Sequence, residues 1–251
     1  MIFDRCWLCS VIPHTHPGRP VLLLVPALAL LVGLAMAPAA RAEETDIYLT
    51  WHAPWGYPGA TDTLTADCDT THADTLWLSF QPDKPHPTFI AWEATLLFHP
   101  APGETLSAWW YEVGAQGSPG HLGMQFHPHP GLGYPQPFRD NGAGGSRWDR
   151  VGGAARLRLV YATPHTSAVS IDRKVYALAR IEIRHSRGFE NGCRQPICIE
   201  WSASRLSYYF GPEFEKVGSG PHRFLSLNSP GGAITVPYRQ AARLRAWKPK
   251  N

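Results

Sequence analysis

From Asp46 onward, apolar side chains return at every second position in short runs, and most runs stop at or near a glycine or proline. A period of two is the repeat of a strand with one face on a core, whereas a helix needs apolar residues three and four apart. With 24 prolines and 23 glycines in 251 residues, long helices have few uninterrupted stretches to occupy. Ile47, Leu49 and Trp51 alternate with Tyr48 and Thr50, and Leu76, Leu78 and Phe80 alternate with Thr75, Trp77 and Ser79. Between Phe89 and Phe98 the pattern places Ile90, Trp92, Ala94, Leu96 and Phe98 on one face, and the run ends at Pro100-Ala101-Pro102-Gly103. Further strands are predicted over 106–113, 155–162, 175–184, 197–204, 206–210, 223–227 and 233–238. Nine or ten short strands without intervening helices predict an all-β fold, an antiparallel β-sandwich of jelly-roll or immunoglobulin-like type. A helical turn or two over 240–247 is the one exception.

The chain begins differently. Val21 to Met36 carries no charge, follows Arg19, and is succeeded by Ala40-Arg41-Ala42, a small-x-small cleavage site. Residues 1–42 are therefore expected to be a secretory signal peptide, leaving one sandwich domain over 43–238 and a basic tail over 239–251. A leader kept as a membrane anchor is the alternative, because 20 apolar residues suffice to span a bilayer. Loss of 1–42 removes Arg5, Arg19, Arg41 and Asp4, so the net charge falls from +3 to +1, and the whole domain offers nucleic acid no basic surface. Arg239, Arg243, Arg245, Lys248 and Lys250 fit a solvated terminus.

Export favours disulfides. Of the three remaining cysteines, Cys193 and Cys198 are expected to pair across a short connection containing Pro196, with Cys68 outside the bridge. The segment 114–145 holds 9 glycines and 5 prolines among 32 residues and reads as one long irregular loop. It carries His121, His127 and His129, which could gather on zinc or copper and would make the chain a metal-dependent hydrolase; a solvated loop is the plainer account. Asp62, Asp67, Asp69 and Asp74 invite calcium, but a helix–loop–helix calcium motif starting at Asp67 would need Gly and Glu where His72 and Leu78 stand. The expectation is no cofactor, with calcium or zinc as the alternatives. There is no G-x-S-x-G, H-E-x-x-H, Walker A or S-x-x-K motif, so the reading is of a chain without catalytic residues. Trp55, Trp109 and Tyr111 are the candidates for rings held at a sheet surface, where they could stack on sugars or anchor a protein.

Two stretches, FIAWEATLLFHPAPGETL (89–106) and VYALARIEIRHSRGFENGCRQPICIEWSASRL (175–206), resemble the early strand and the later strand pair of cohesin-like modules. The resemblance implies a jelly-roll-like sandwich of about nine strands, exported, that binds protein partners and lies close in architecture to carbohydrate-binding modules; the 32-residue loop and the three cysteines depart from that pattern. It supplies no catalytic residues. The expected function is a secreted or envelope-associated interaction module whose partner is a protein or a glycan at the cell surface, with membrane contact only through a retained leader. Carbohydrate binding through exposed aromatics is the first alternative.

Overall fold

Side chains that alternate along a strand require two sheets to share one core, and the chain builds them from non-adjacent segments. The computed structural model describes residues 45–68, 71–111, 121–126, 133–138, 141–185, 190–210, 215–216 and 222–229. The leader, the predicted strand over 233–238 and the tail lie outside them, and no helix among the described residues is long and apolar enough to cross a membrane.

The strands are β1 (Asp46–Trp51), β2 (Thr63–Leu64), β3 (Ala73–Gln81), β4 (His86–Pro100), β5 (Leu122–Gln125), β6 (Ala143–Val151), β7 (Ala154–Ala162), β8 (Val169–Ile171), β9 (Tyr176–Arg184), β10 (Ile197–Tyr208), β11 (Glu215–Lys216) and β12 (Phe224–Leu227). A four-stranded sheet runs β1-β3-β9-β5 and a larger one runs β2-β12-β10-β4-β7-β6, with β11 beside β10 and β8 beside β4. Among the described residues every strand pairing is antiparallel except β2 with β12. Helical structure among the described residues is confined to short turns at Ala108–Tyr111, His165–Ser167 and Glu190–Cys193.

The core is the alternation made solid. Ile47, Leu49 and Trp51, with Leu76, Leu78 and Phe80, pack in one cluster with Trp92, Leu96 and Phe98 of the larger sheet. At the start of β4 the face is shifted by one residue from the simple alternation: Phe89 enters the core and Ile90 does not, because the β4–β10 register slips between Phe89 and Ala91. The two strands read over 197–204 and 206–210 are a single β10, bulged where Ser202 is inserted between Trp201 and Ala203.

The expected loop over 114–145 is interrupted by structure. Leu122–Gln125 pairs with β9 as an edge strand, and β6 begins at Ala143. Glycines weaken a strand's sequence signal without preventing its ladder when a partner is already in place. β6 is joined to β7 by the two-residue turn Gly152-Gly153, with Gly152 at φ 62°, the left-handed position such hairpins require. The strand expected over 106–113 is replaced by the turn Ala108–Tyr111, which buries both Trp109 and Trp110.

Phe98 is wholly buried, with ring centroids 5.5 Å from Trp110 and 4.8 Å from Trp148. Phe98→Ala is expected to lower unfolding stability by about 3 to 5 kcal/mol in a denaturant titration, whereas Val160→Ala, on a side chain 45% exposed, should change it by under about 0.5 kcal/mol.

Candidate functional site

Where β3 and β9 pair near the end of the smaller sheet, a row of polar groups passes into the interior. Asp74 lies one residue into β3 opposite Ile183, and His185 follows β9, extending the ladder by donating its backbone N–H to the His72 carbonyl at 2.9 Å. This brings His185 Nε2 to 2.7 Å from Asp74 Oδ2 and His185 Nδ1 to 2.9 Å from Cys193 Sγ. Asp74, His185 and Cys193 are each 4% exposed. A proton on Nε2, given to the carboxylate, is the tautomer this geometry favours; it turns Nδ1 toward sulfur.

Cys193 ends the turn Glu190–Cys193 and bonds to Cys68, 125 residues earlier. The expected Cys193–Cys198 bridge is thus corrected. Cys198 is the second residue of β10, held by the ladder between His99 and Ser226, and lies buried as a thiol apart from the disulfide. Short spacing favours a bridge only if both side chains can turn toward each other, and a central strand fixes one of them. Gly192 lets the turn reach this position, because a Cβ there would lie 2.1 Å from Trp109 Cβ. Asn228 ties the two cysteine-bearing segments together: its side chain accepts the Ala66 N–H at 2.8 Å and donates to the Cys193 carbonyl.

Of the three histidines considered for a metal, His127 and His129 lie outside the described residues. His121 is buried and stacks on Trp109 with centroids 3.7 Å apart. Burial, with the nearby His185 adding to it, pulls its pKa from 6.5 down to about 4, so the ring is neutral at ordinary pH. Two other sets do bring three ligand atoms within 4.8 Å of one another, Cys68–His185–Cys193 and His72–Asp74–His185. In the first the sulfurs are bonded to each other, and in both His185 gives its Nε2 proton to Asp74 while Nδ1 lies against Cys193 Sγ, so the arrangement is a closed polar row and not an open ligand set. Asp74 is committed to this row, and Asp69 lies outside the described residues.

The aromatic candidates separate. Trp109 is 5% exposed and belongs to the core, and Tyr111 is half-buried with the Arg150 guanidinium 3.8 Å from its ring. Neither forms an open platform. Trp55 is half-buried on the outer side of the smaller sheet, stacked at 5.0 Å on Tyr48, with His222 at 4.0 Å. Tyr48 and His222 are 5.6 Å apart, whereas rings on opposite faces of an indole lie about 7 Å apart, so one face of Trp55 is clear of both. Burial, then Asp46, pushes the Tyr48 hydroxyl up to about 12, and burial lowers His222. Alongside, Tyr57 and Tyr134 meet edge to face at 4.7 Å, and Tyr134 stands over Trp77 at 5.3 Å.

Two further groups carry no sequence motif: one joins residues 101 apart, and the other depends on the β6–β7 register. His99 and Glu200 form a buried pair at 3.2 Å, with Arg223 at 3.7 Å. On β6 and β7, Arg147, Arg156 and Arg158 converge on Asp149 at 2.8, 3.0 and 3.0 Å. Burial opposes ionisation of Asp149, but hydrogen bonds from Arg156, Arg147 and Arg158 outweigh it and hold the carboxyl below its ordinary range.

Protonating His121 is disfavoured only in the folded state, so its contribution is complete above pH 6.5 and is lost as the pH falls toward 4. The loss is about 3 kcal/mol over that window. His121→Phe, which keeps the stack on Trp109, is expected to flatten the decline when unfolding free energies are measured across the same range.

Compared with known proteins, the chain matches no protein family and no curated sequence.

Proposed function

We propose that the chain is an exported, non-catalytic β-sandwich that binds a glycan on the outer face of its four-stranded sheet. One observation carries this reading: a set of aromatic rings gathers where the core does not need them. Tyr48 and Trp77 stand on the strand face opposite the apolar cluster, and Trp55, Tyr57 and Tyr134 lie over them, half-buried. A ring with one side packed and the other accessible suits the C–H face of a sugar.

The neighbouring polar side chains supply the complement. Arg180 pairs in register with Trp77 and with Gln125. Glu182 receives Arg180 at 2.5 Å and Arg184 at 3.4 Å, which presents a fixed row of donors and acceptors beside the rings. A few placed polar groups next to an apolar platform are what orients a hydroxyl-rich ligand. The large, flat side chains also lose little rotamer freedom on binding.

A protein partner is a second reading, favoured by Phe210 at 74% exposure and Tyr209 at 45%, adjoining aromatic side chains at the end of β10. Export rests on the apolar leader and its A-x-A site.

A glycan microarray followed by titration calorimetry tests the first reading. Trp55→Ala combined with Tyr134→Ala is expected to weaken binding at least tenfold while the unfolding transition stays cooperative. A silent array, or binding unaffected by both changes, removes the reading.

A further inference from the structure

We propose that the Cys68–Cys193 disulfide is a redox-active site, opened by a dithiol that attacks Cys68 while His185 receives the Cys193 sulfur as a thiolate.

A disulfide that only staples two segments is served by apolar packing. Here it ends a row of buried ionisable groups, Asp74 to His185 to Cys193, at 2.7 and 2.9 Å. Burying a carboxylate and an imidazole costs solvation, and with the proton on Nε2 the bare Nδ1 faces a disulfide sulfur that has no proton to give, so this contact returns little of it. The same nitrogen facing a thiolate makes a charge-assisted hydrogen bond, and thiolates are stabilised beside a protonated imidazole. The row therefore suits the reduced form better than the oxidised form it now holds.

The two sulfurs are not equivalent. Cys193 is 4% exposed and faces His185, whereas Cys68 is half-buried at the margin of the core cluster, with the Ala66 carbonyl 3.8 Å from its sulfur. An incoming thiolate reaches Cys68 first. Exchange is fastest when the departing sulfur is the better stabilised one, and here that is the sulfur beside the imidazole. Accessibility and leaving-group stabilisation select the same direction.

The step balances as follows. One sulfur of the dithiol, as thiolate, bonds to Cys68 Sγ; the Cys68–Cys193 bond breaks and its electron pair stays on Cys193 Sγ. The second thiol of the reductant, after losing its proton, attacks its own partner sulfur in the mixed disulfide. It departs as the cyclic disulfide and releases Cys68. Two electrons and two protons pass to the protein. One proton is held between His185 Nδ1 and Cys193, and the other ends on Cys68. His185 touches the reacting sulfur, while Asp74 is a positioning residue that keeps Nδ1 turned toward it. The chemistry is independent of any ligand on the aromatic face.

The oxidised full chain is tested in native buffer. Glutathione is used to trap the mixed disulfide for peptide mass mapping, and dithiothreitol to measure the reduction rate by alkylation. Glutathione is expected on Cys68. His185→Phe is expected to slow reduction at least tenfold and to abolish the thiolate absorbance near 240 nm that the reduced wild-type protein shows at neutral pH. Asp74→Asn should reduce both to a smaller extent. Glutathione on Cys193, or reduction only at denaturant concentrations that unfold the chain, overturns the proposal. So does a wild-type rate in a folded His185→Phe or His185→Gln protein. If neither His185 variant folds, the wild-type mapping and the native-state reduction decide the matter without them.

Discussion

The rest of the structure hangs on contact between the two inner sheet faces, and indole rings supply much of it. Trp51, Trp92, Trp110 and Trp201 are essentially without solvent exposure. Each brings a large apolar area and one N–H that burial would leave costly. Trp51 solves this across the sandwich, its Nε1 donating to the Ser226 carbonyl on β12 at 3.1 Å, and Trp201 donates to the Ala203 carbonyl beyond its own bulge at 3.1 Å. The first of these bonds links the sheets directly. The bulge at Ser202 thus has a purpose, since it turns a carbonyl toward a ring that the core requires for its volume.

Strands that lie inside this contact were legible from the sequence because burial forces alternation. β1, β3, β4, β7 and β9 all carry it, and each is recognisable to within a residue or two apart from the start of β4, which lies three residues ahead of Phe89. β5 and β6 were not, for a definite reason. Both are edge strands in the order of their sheets, paired on one side only among the described residues, and glycine occupies positions where a side chain would have shown the period. Their ladders follow from neighbours already fixed. The face change at Phe89 was illegible for a related reason: a register slip between two strands belongs to the pair, and neither strand's sequence contains it.

The site was less legible than the fold. Residue type and loop context mark His121 as a ligand candidate, yet it is a neutral ring stacked on Trp109. His185, whose two ring nitrogens face Asp74 and Cys193, carries no sequence signal, because Asp74 lies 111 residues away and Cys193 reaches it only after the chain has turned at Gly192. Chain distance carries no information about such a row; only the β3–β9 pairing and the turn bring its members together. Trp55 was the aromatic candidate found on an outer surface, and Tyr134 escaped notice inside the glycine-rich stretch.

The two features outside the core divide naturally between the two things a sandwich leaves open. Sheet faces that do not meet the partner sheet can carry broad, shallow recognition, and the rings over β1 and β3 lie on such a face. Sheet ends, where strands give way to turns, can instead draw distant segments into small, dry and chemically specific arrangements. The disulfide row is of this second kind. Asn228, at φ 54°, hydrogen-bonds to both the Ala66 amide and the Cys193 carbonyl, so the Cys68 and Cys193 segments stay registered without relying on the sulfur bond alone. A covalent link that were the sole tie between those segments could not break without releasing them. One that is backed by the Asn228 side chain can, and the β3–β9 ladder keeps Asp74 and His185 in position while it does.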